Sequence, residues 1–327
     1  MFPDLRISAR QPRPITTRSI IQVKKVTLLT LLALAIAGCS HNTQQQPGTV
    51  SIAQADGQVE VVHDPKRVVT FDYGSYDSLI ALGVGDRVIA TPASVPPYLA
   101  DKSGDLRDAG GMKTPDVDTV RSLQPELILV TGRQGESRAA LQQIAPTLDM
   151  GIAADDYFTG VAHNVNLLGQ IFGKSAEAKQ ALATLHDKAE KTRQIVASSG
   201  KRTLVLTHND GRFSPTEQPV IYSLLQAPRT LPAPEPQAPD APRQRPQPLT
   251  AEDIAAASPD VIFIIDRSAA IGATPLDVAT LANSQLASTP AAQAKRIVYL
   301  DPPLWYLSGG GLQSLDLQID QVLAAYR

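Results

Sequence analysis

Residues 118–133 read DTVRSLQPELILVTGR, and residues 252–267 read EDIAAASPDVIFIIDR. Each stretch opens on an acid, Asp118 or Glu252, and carries a proline seven positions later. A second acid and an apolar run follow, and an arginine, Arg133 or Arg267, stands eight positions beyond the proline. The proline ends a helix, because its ring fixes φ and removes a backbone donor. The apolar run after it predicts a strand. Helix, proline, strand is a common order in α/β proteins, but the matched acid, proline and arginine favour two related lobes over chance. The copies start 134 residues apart, too far for a solenoid period.

The same grammar extends along the chain. Strands are expected at Val68–Phe71, Arg87–Thr91, Leu127–Thr131, Thr203–Thr207, Val261–Ile265 and Ile297–Leu300. Helices are expected at Tyr76–Leu82, from Thr114–Pro115 up to Pro125, at Leu249–Ala257 and at Leu312–Tyr326. Strands alternating with helices imply parallel α/β units. From Asp155 to Ser199 the pattern is helical, interrupted at Gly173, with Ser175 as the expected N-cap of the second helix. Ser175–Ser198 holds no proline or glycine, and Leu182, Leu185, Ala189 and Val196 are spaced for one apolar face. Such a helix spans about 36 Å, enough to bridge two lobes. The expected fold class is therefore α/β: two Rossmann-like lobes with mainly parallel sheets, joined by one long α-helix. The N-terminal lobe is expected at 58–170, the connecting helix at 171–199 and the C-terminal lobe at 200–327. One segment does not fit. Residues 227–248 carry eight prolines and no periodicity, which predicts a surface loop or a disordered stretch.

The single cysteine, Cys39, follows an apolar run, Val26–Ala37, preceded by Lys24 and Lys25. That run is short for a transmembrane helix and fits a secretory signal over residues 1–38. Its end, Ile36-Ala37-Gly38-Cys39, resembles the bacterial lipobox, in which the cysteine is lipidated. Residues 1–22 extend far upstream of an ordinary signal and suggest an over-called start. Polar residues after Cys39 read as a tether over 39–57. No other cysteine is present to stay free in an oxidising compartment. Of 30 basic and 32 acidic residues, six and one lie in 1–38, which leaves 24 and 31. An acidic chain of this kind has no footprint for nucleic acid, and must concentrate positive charge locally to hold an anion.

Arginine forks suit flat, oxygen-rich anions and keep their charge at any physiological pH. Arg133 and Arg267 each directly follow an expected strand, where open α/β sheets bind ligands. One arginine per lobe would converge on a shared cleft. LWYLSGGG, residues 304–311, places Trp305 and Tyr306 in a loop before a helix. A tyrosine oxygen is a hard donor, and an indole face can stack on a flat ring, although core packing competes for Trp305.

Five segments carry a family resemblance: KRVVTFDYGSYDSLIALGVGDRV, PDVDTVRSLQPELILVTGRQ, THNDGRFS, PDVIFIIDRSAAIG and IVYLDPPLWYLSGGGLQSLD. With the lipobox, they are similar to the substrate-binding lipoproteins of bacterial ABC importers for iron–siderophores, haem and cobalamin. They most resemble the members that bind ferric catecholate siderophores. The resemblance implies a periplasmic, membrane-anchored monomer with no enzymatic activity and no intrinsic cofactor. Its cargo would be an Fe(III)–siderophore, and its partners an ABC permease with its ATPase. Tyr306 would be a ligand to the iron. Met112 and Lys113 would lie in a loop directed into the cleft. Asp118 and Glu252 would dock the permease, one per lobe, although a helix-start acid is also favoured by the helix dipole alone.

The chain also departs from that pattern. The family's glycine-rich stretch with a further pocket arginine, and a later His-Gly, are replaced by PTEQPV and the proline-rich run. Arg212 is a candidate replacement, and His208 is expected to be structural. Either the cargo is a complete, hexadentate chelate, or the segment has been altered by more than one frameshift. Haem or cobalamin binding is the alternative within the family. An exported hydrolase using His208-Asn209-Asp210 and a non-binding relic are the alternatives of other classes.

Overall fold

The computed structural model describes residues 48–101, 104–154, 156–235, 246–282 and 284–327. The signal segment, Cys39 and most of the tether lie outside the described residues. The tether's expected end does not hold, however. Thr49–Gln54 (β1) and Gly57–Val62 (β2) form an antiparallel hairpin. Ile52 and Val61 are alternating apolar residues that enter the core, and Gln54 accepts from the Asp149 N–H at 2.8 Å. The N-terminal lobe therefore begins before residue 58.

The first lobe then runs β3 (Val68–Thr70), α1 (Tyr73–Ala81), β4 (Val88–Thr91), α2 (Pro97–Ala100) and β5 (Arg107–Asp108). It continues with α3 (Val117–Ser122), β6 (Leu127–Val130), α4 (Arg138–Gln142) and β7 (Thr147–Asp149). Its sheet has the order β5-β4-β3-β6-β7, with every pairing parallel. Next come α5 (Tyr157–Ile171) and α6 (Ser175–Ser198). The second lobe holds β8 (Thr203–Asn209), β9 (Arg212–Pro215), α7 (Ala251–Ala257), β10 (Val261–Asp266) and α8 (Arg267–Ala270). It ends with α9 (Val278–Ala282), α10 (Pro290–Gln293), β11 (Ile297–Tyr299) and α11 (Leu312–Tyr326). Its sheet has the order β11-β10-β8-β9, parallel except for the β8–β9 pair.

The two copies of the opening stretch occupy equivalent positions. Asp116 caps α3 and Thr250 caps α7, each accepting from the N–H three residues on. Asp118 and Glu252 are then the second helical residue of their helices, and both are exposed. The strands that follow are buried on both faces, as parallel sheets covered by helices require. In β6, Leu127 and Leu129 face the central core, whereas Ile128 and Val130 face an outer one. In β10, Val261, Phe263 and Ile265 face the central core, and Ile262 and Ile264 a third. One apolar cluster thus runs through both sheets and the helices between them.

The connecting helix α6 covers the proline- and glycine-free run Ser175–Ser198, inside the 171–199 expected for it. Leu182, Leu185, Ala189 and Val196 are buried, joined by Ala178 and Thr192. Its start differs in detail: Lys174 is the N-cap position, Ser175 is already helical, and no side chain caps the end. Lys188 fastens the helix to α11 through Asp316 (2.7 Å) and Asp320 (2.8 Å).

The described part of the proline-rich run is more ordered than its composition predicts. Ala227 is buried, Pro228 accepts from the Thr203 N–H at 2.7 Å, and the Thr230 N–H donates to Thr203 at 2.9 Å. Arg229 forks onto Glu217 and lies over the Tyr222 ring at 4.0 Å. Proline lacks only a donor, so the first residues of the run can still satisfy the start of β8, where β9 does not reach. Residues 236–245 lie outside the described set.

Candidate functional site

A cleft of about 680 Å³ opens beyond the carboxyl ends of β3, β6 and β7. In an open parallel sheet this is where strands stop and loops leave room for a ligand. Asp72 follows β3, Thr131–Arg133 follow β6, and Met150–Ile152 follow β7. The far wall is Leu307–Gly310 from the second lobe.

Arg133 is held by a tight turn after β6. Thr131 and Gln134 close that turn as a capping box, and the buried Gln134 amide donates to the Met112 carbonyl. The loop carrying Met112 and Lys113 is thereby tied to the turn carrying Arg133, and all three side chains line the cleft. The Arg133 guanidinium reaches across to the second lobe and donates to the Tyr306 carbonyl at 2.8 Å. Arg267 opens α8 directly after β10, where Asp266 caps the helix through the Ala269 N–H. Its Nε donates to the Tyr306 hydroxyl at 2.7 Å, and its Nη1 to Asn209. Both guanidinium groups lie over the Tyr306 ring, at 5.9 Å for Arg133 and 5.5 Å for Arg267.

The two arginines therefore meet at Tyr306, but only Arg133 is among the residues that line the cleft. The hydrogen bonds of both arginines go to neutral acceptors, and the charge of Arg133 also acts on the Asp72 carboxyl. Among the described residues neither arginine has a carboxylate within ion-pair distance, whereas Arg87, Arg138, Arg193, Arg202 and Arg229 each hold one. Tyr306 itself stands at the edge of the cleft rather than among the residues that line it.

Trp305 is not available for stacking. It is 4% exposed, packs in the central core and donates its indole N–H to Gln321 at 2.8 Å. Pro303–Leu307 is a π-helical turn rather than an open loop, and it turns Trp305 inward and leaves Tyr306 half-buried. Arg212 does not replace the missing family arginine either: it is exposed on the edge strand β9, away from the cleft. His208 is structural. Its Nε2 accepts from the Gly211 N–H at 3.1 Å, so Nδ1 carries the proton and donates to Asp266 at 2.8 Å. With both nitrogens used and the ring 3% exposed, it has no free face for acid–base work. Burial opposes ionisation of Asp266. Hydrogen bonds from His208, the Leu276 N–H, Tyr299 and the Ala269 N–H nevertheless hold its carboxyl below the usual range.

Three features of the cleft were not foreseen. Asp72 caps α1 through Ser75 and lines the floor. Burial raises its pKa, opposed by hydrogen bonds from Ser75 and Gly74 and by the charge of Arg133. Tyr157, from the first turn of α5, meets the Gly310 backbone, and burial pushes its phenol well above the ordinary value. The third is the Ser308–Gly310 wall, whose only sequence signal is the SGGG run itself. Among the described residues no group of three or more His, Cys, Asp or Glu is placed to hold a metal ion. A metal at this site would have to bring most of its ligands with it.

Comparison with known proteins agrees with this architecture. The petrobactin-binding protein YclQ of Bacillus subtilis is 32% identical over 313 residues, covering 92% of this chain and 98% of YclQ. Its crystal structure superposes with a TM-score of 0.78 at 30% identity, covering 86% of this chain and 99% of the other. The ferric-anguibactin-binding protein FatB of Vibrio anguillarum is 27% identical over 83% of this chain and 85% of its own. The iron-uptake ABC transporter substrate-binding protein PiuA of Streptococcus pneumoniae has a TM-score of 0.76 at 31% identity, covering 84% of this chain and 97% of PiuA. The profile described as periplasmic binding protein matches residues 68–304. With two parallel-sheet lobes on one long helix and a cleft at the strand ends, the chain belongs to the periplasmic binding protein family.

Proposed function

We propose that the protein captures an anionic ferric siderophore of catecholate type between its lobes and delivers it to an ABC permease and ATPase. The observation that carries this reading is the pair of arginines, one per lobe, that meet at Tyr306 and, among the described residues, have no carboxylate within ion-pair distance. A guanidinium whose hydrogen bonds go only to neutral acceptors keeps its attraction for an anion, offset in part at Arg133 by the Asp72 carboxylate, and its planar fork matches pairs of oxygens. Lys113, on the loop tied to the Arg133 turn, adds a further cation to the cleft lining. Tyr306 is the candidate protein ligand to the iron, released from Arg267 when the chelate enters. YclQ and FatB, which bind petrobactin and ferric anguibactin, support the ligand class.

Asp118 and Glu252, exposed at matching places on α3 and α7, are the candidate docking carboxylates for the permease. Cys39 is the candidate lipid anchor on the periplasmic side of a membrane.

Fluorescence titration against ferric petrobactin, ferric anguibactin, a ferric hydroxamate, haem and cobalamin tests the ligand class. Quenching by ferric catecholates is expected. Binding of haem or cobalamin alone, or of nothing in the panel, would refute it. Charge reversal at Asp118 and Glu252 together should abolish uptake in cells. Undiminished uptake would remove the docking role.

A further inference from the structure

Asp77 lies outside the cleft lining, yet it is fully buried and joins the two lobes. It sits on α1 of the first lobe. It accepts from the backbone N–H groups of Gln313 (3.1 Å) and Ser314 (3.0 Å) in the first turn of α11 in the second. The open N–H groups of a helix start favour a negative charge, and here the carboxylate comes from the other end of the chain. The Tyr98 hydroxyl donates to the same carboxylate at 3.1 Å and also bonds the Ser308 hydroxyl. Its single proton goes to Asp77, so Ser308 is the donor in the second bond.

Ser308 begins the strap that walls the cleft, followed by Gly309, Gly310 and Gly311. Gly309 and Gly310 have φ of 122° and 76°. Such a run is costly to order and has no side chains with which to hold itself. Its position is set from outside. Ser308 is held by Tyr98, and Gly311 passes so close to Asp77 that a Cβ there would fall on the carboxylate. We infer that Asp77 and Tyr98 are positioning residues for ligand binding, which fix the Ser308–Gly310 strap of the second lobe against the first. The inference rests on the binding reading above.

The test compares ferric petrobactin binding by the wild type, Tyr98→Phe, Ser308→Ala, Ser308→Thr and the Tyr98→Phe/Ser308→Ala double variant. Each variant that loses a hydroxyl should bind about tenfold more weakly, the equivalent of one buried hydrogen bond. The double variant should be no weaker than Tyr98→Phe, because that single variant has already lost the Tyr98–Ser308 bond. Ser308→Thr keeps the hydroxyl and should bind more tightly than Ser308→Ala, which a general loss of stability would not allow. Unchanged affinity in Tyr98→Phe, or losses that multiply in the double variant, would overturn the inference. Amide hydrogen exchange reads the latch without any ligand: Gln313 and Ser314 should exchange about tenfold faster in Tyr98→Phe. If the wild type bound no ferric chelate, the siderophore reading would fail. Unchanged exchange at those amides would then overturn the latch on its own terms.

Discussion

Gly74→Ala is the sharpest single perturbation of the lobe junction, because two physical accounts predict opposite signs. Gly74 is the second residue of α1 and is buried against the glycine strap. A Cβ built there would stand 3.0 Å from the Gly311 nitrogen and 3.1 Å from the Gly310 carbonyl carbon, and closer still to the Gly309 oxygen. All three are backbone atoms, so no side chain can rotate away. Helix and strap would have to part by about 1 Å to restore ordinary contact. Overpacking of this kind costs about 1–3 kcal/mol. A helix glycine with open space around it would instead gain up to about 1 kcal/mol on becoming alanine. Urea unfolding followed by circular dichroism, with the slope m checked for constancy, measures the difference. A loss of about 1–3 kcal/mol is expected, together with weaker chelate binding because the strap forms the cleft wall. A Gly74→Ala protein as stable as the wild type, or more stable, would refute the close approach of α1 and strap.

Further outcomes follow from the same structure. Burial pushes Asp77 up to about 7, against hydrogen bonds from Ser314, Gln313 and Tyr98. The folded state thus holds that proton more tightly than the unfolded chain does. Its contribution is fully present below about pH 4 and is lost as pH rises through about 7, by at most about 4 kcal/mol. Asp77→Asn should therefore flatten the fall in stability between pH 5 and pH 8, and parallel wild-type and variant curves would contradict this. Leu185→Ala opens a cavity where the connecting helix meets the core and should cost about 2–5 kcal/mol in denaturant unfolding. A cost under about 1 kcal/mol would mean that the helix is held by its ends alone. Arg267→Lys keeps the charge but loses the fork that spans Tyr306 and Asn209. It should weaken ferric-chelate binding about tenfold, and full retention would show that charge alone suffices.

Much of the scaffold was legible because its signals are local. The proline at position 125 or 259 ends a helix wherever it stands, and the apolar run after it has one low-energy use in an α/β chain. The meeting of Arg133 with Arg267 was legible for a related reason: equal positions in two similar lobes project equally. Trp305 and Tyr306 were not separable in that way. They are adjacent and both aromatic, and which one faces the core depends on the π-helical turn and on Gln321 sixteen residues later. Ala227–Leu231 hold no helix or named strand, as expected of a loop, but where that loop packs was not legible. Composition reports what a segment cannot form by itself, and says nothing of the vacant start of β8 against which this one lies.

The amino-acid sequence by itself determined the two-lobe α/β plan, the run of the long helix and the matched positions of Arg133 and Arg267. Strand and helix periods, proline stops and a matched spacing are all written within short windows. The tertiary structure alone decided the junction: Asp77 capping a helix 236 residues away, Tyr98 holding Ser308, and the glycine strap pressed onto Gly74. Those contacts are set by the docking of one lobe on the other. The free energy of burying a carboxylate at a helix start exists only once both partners have been brought together.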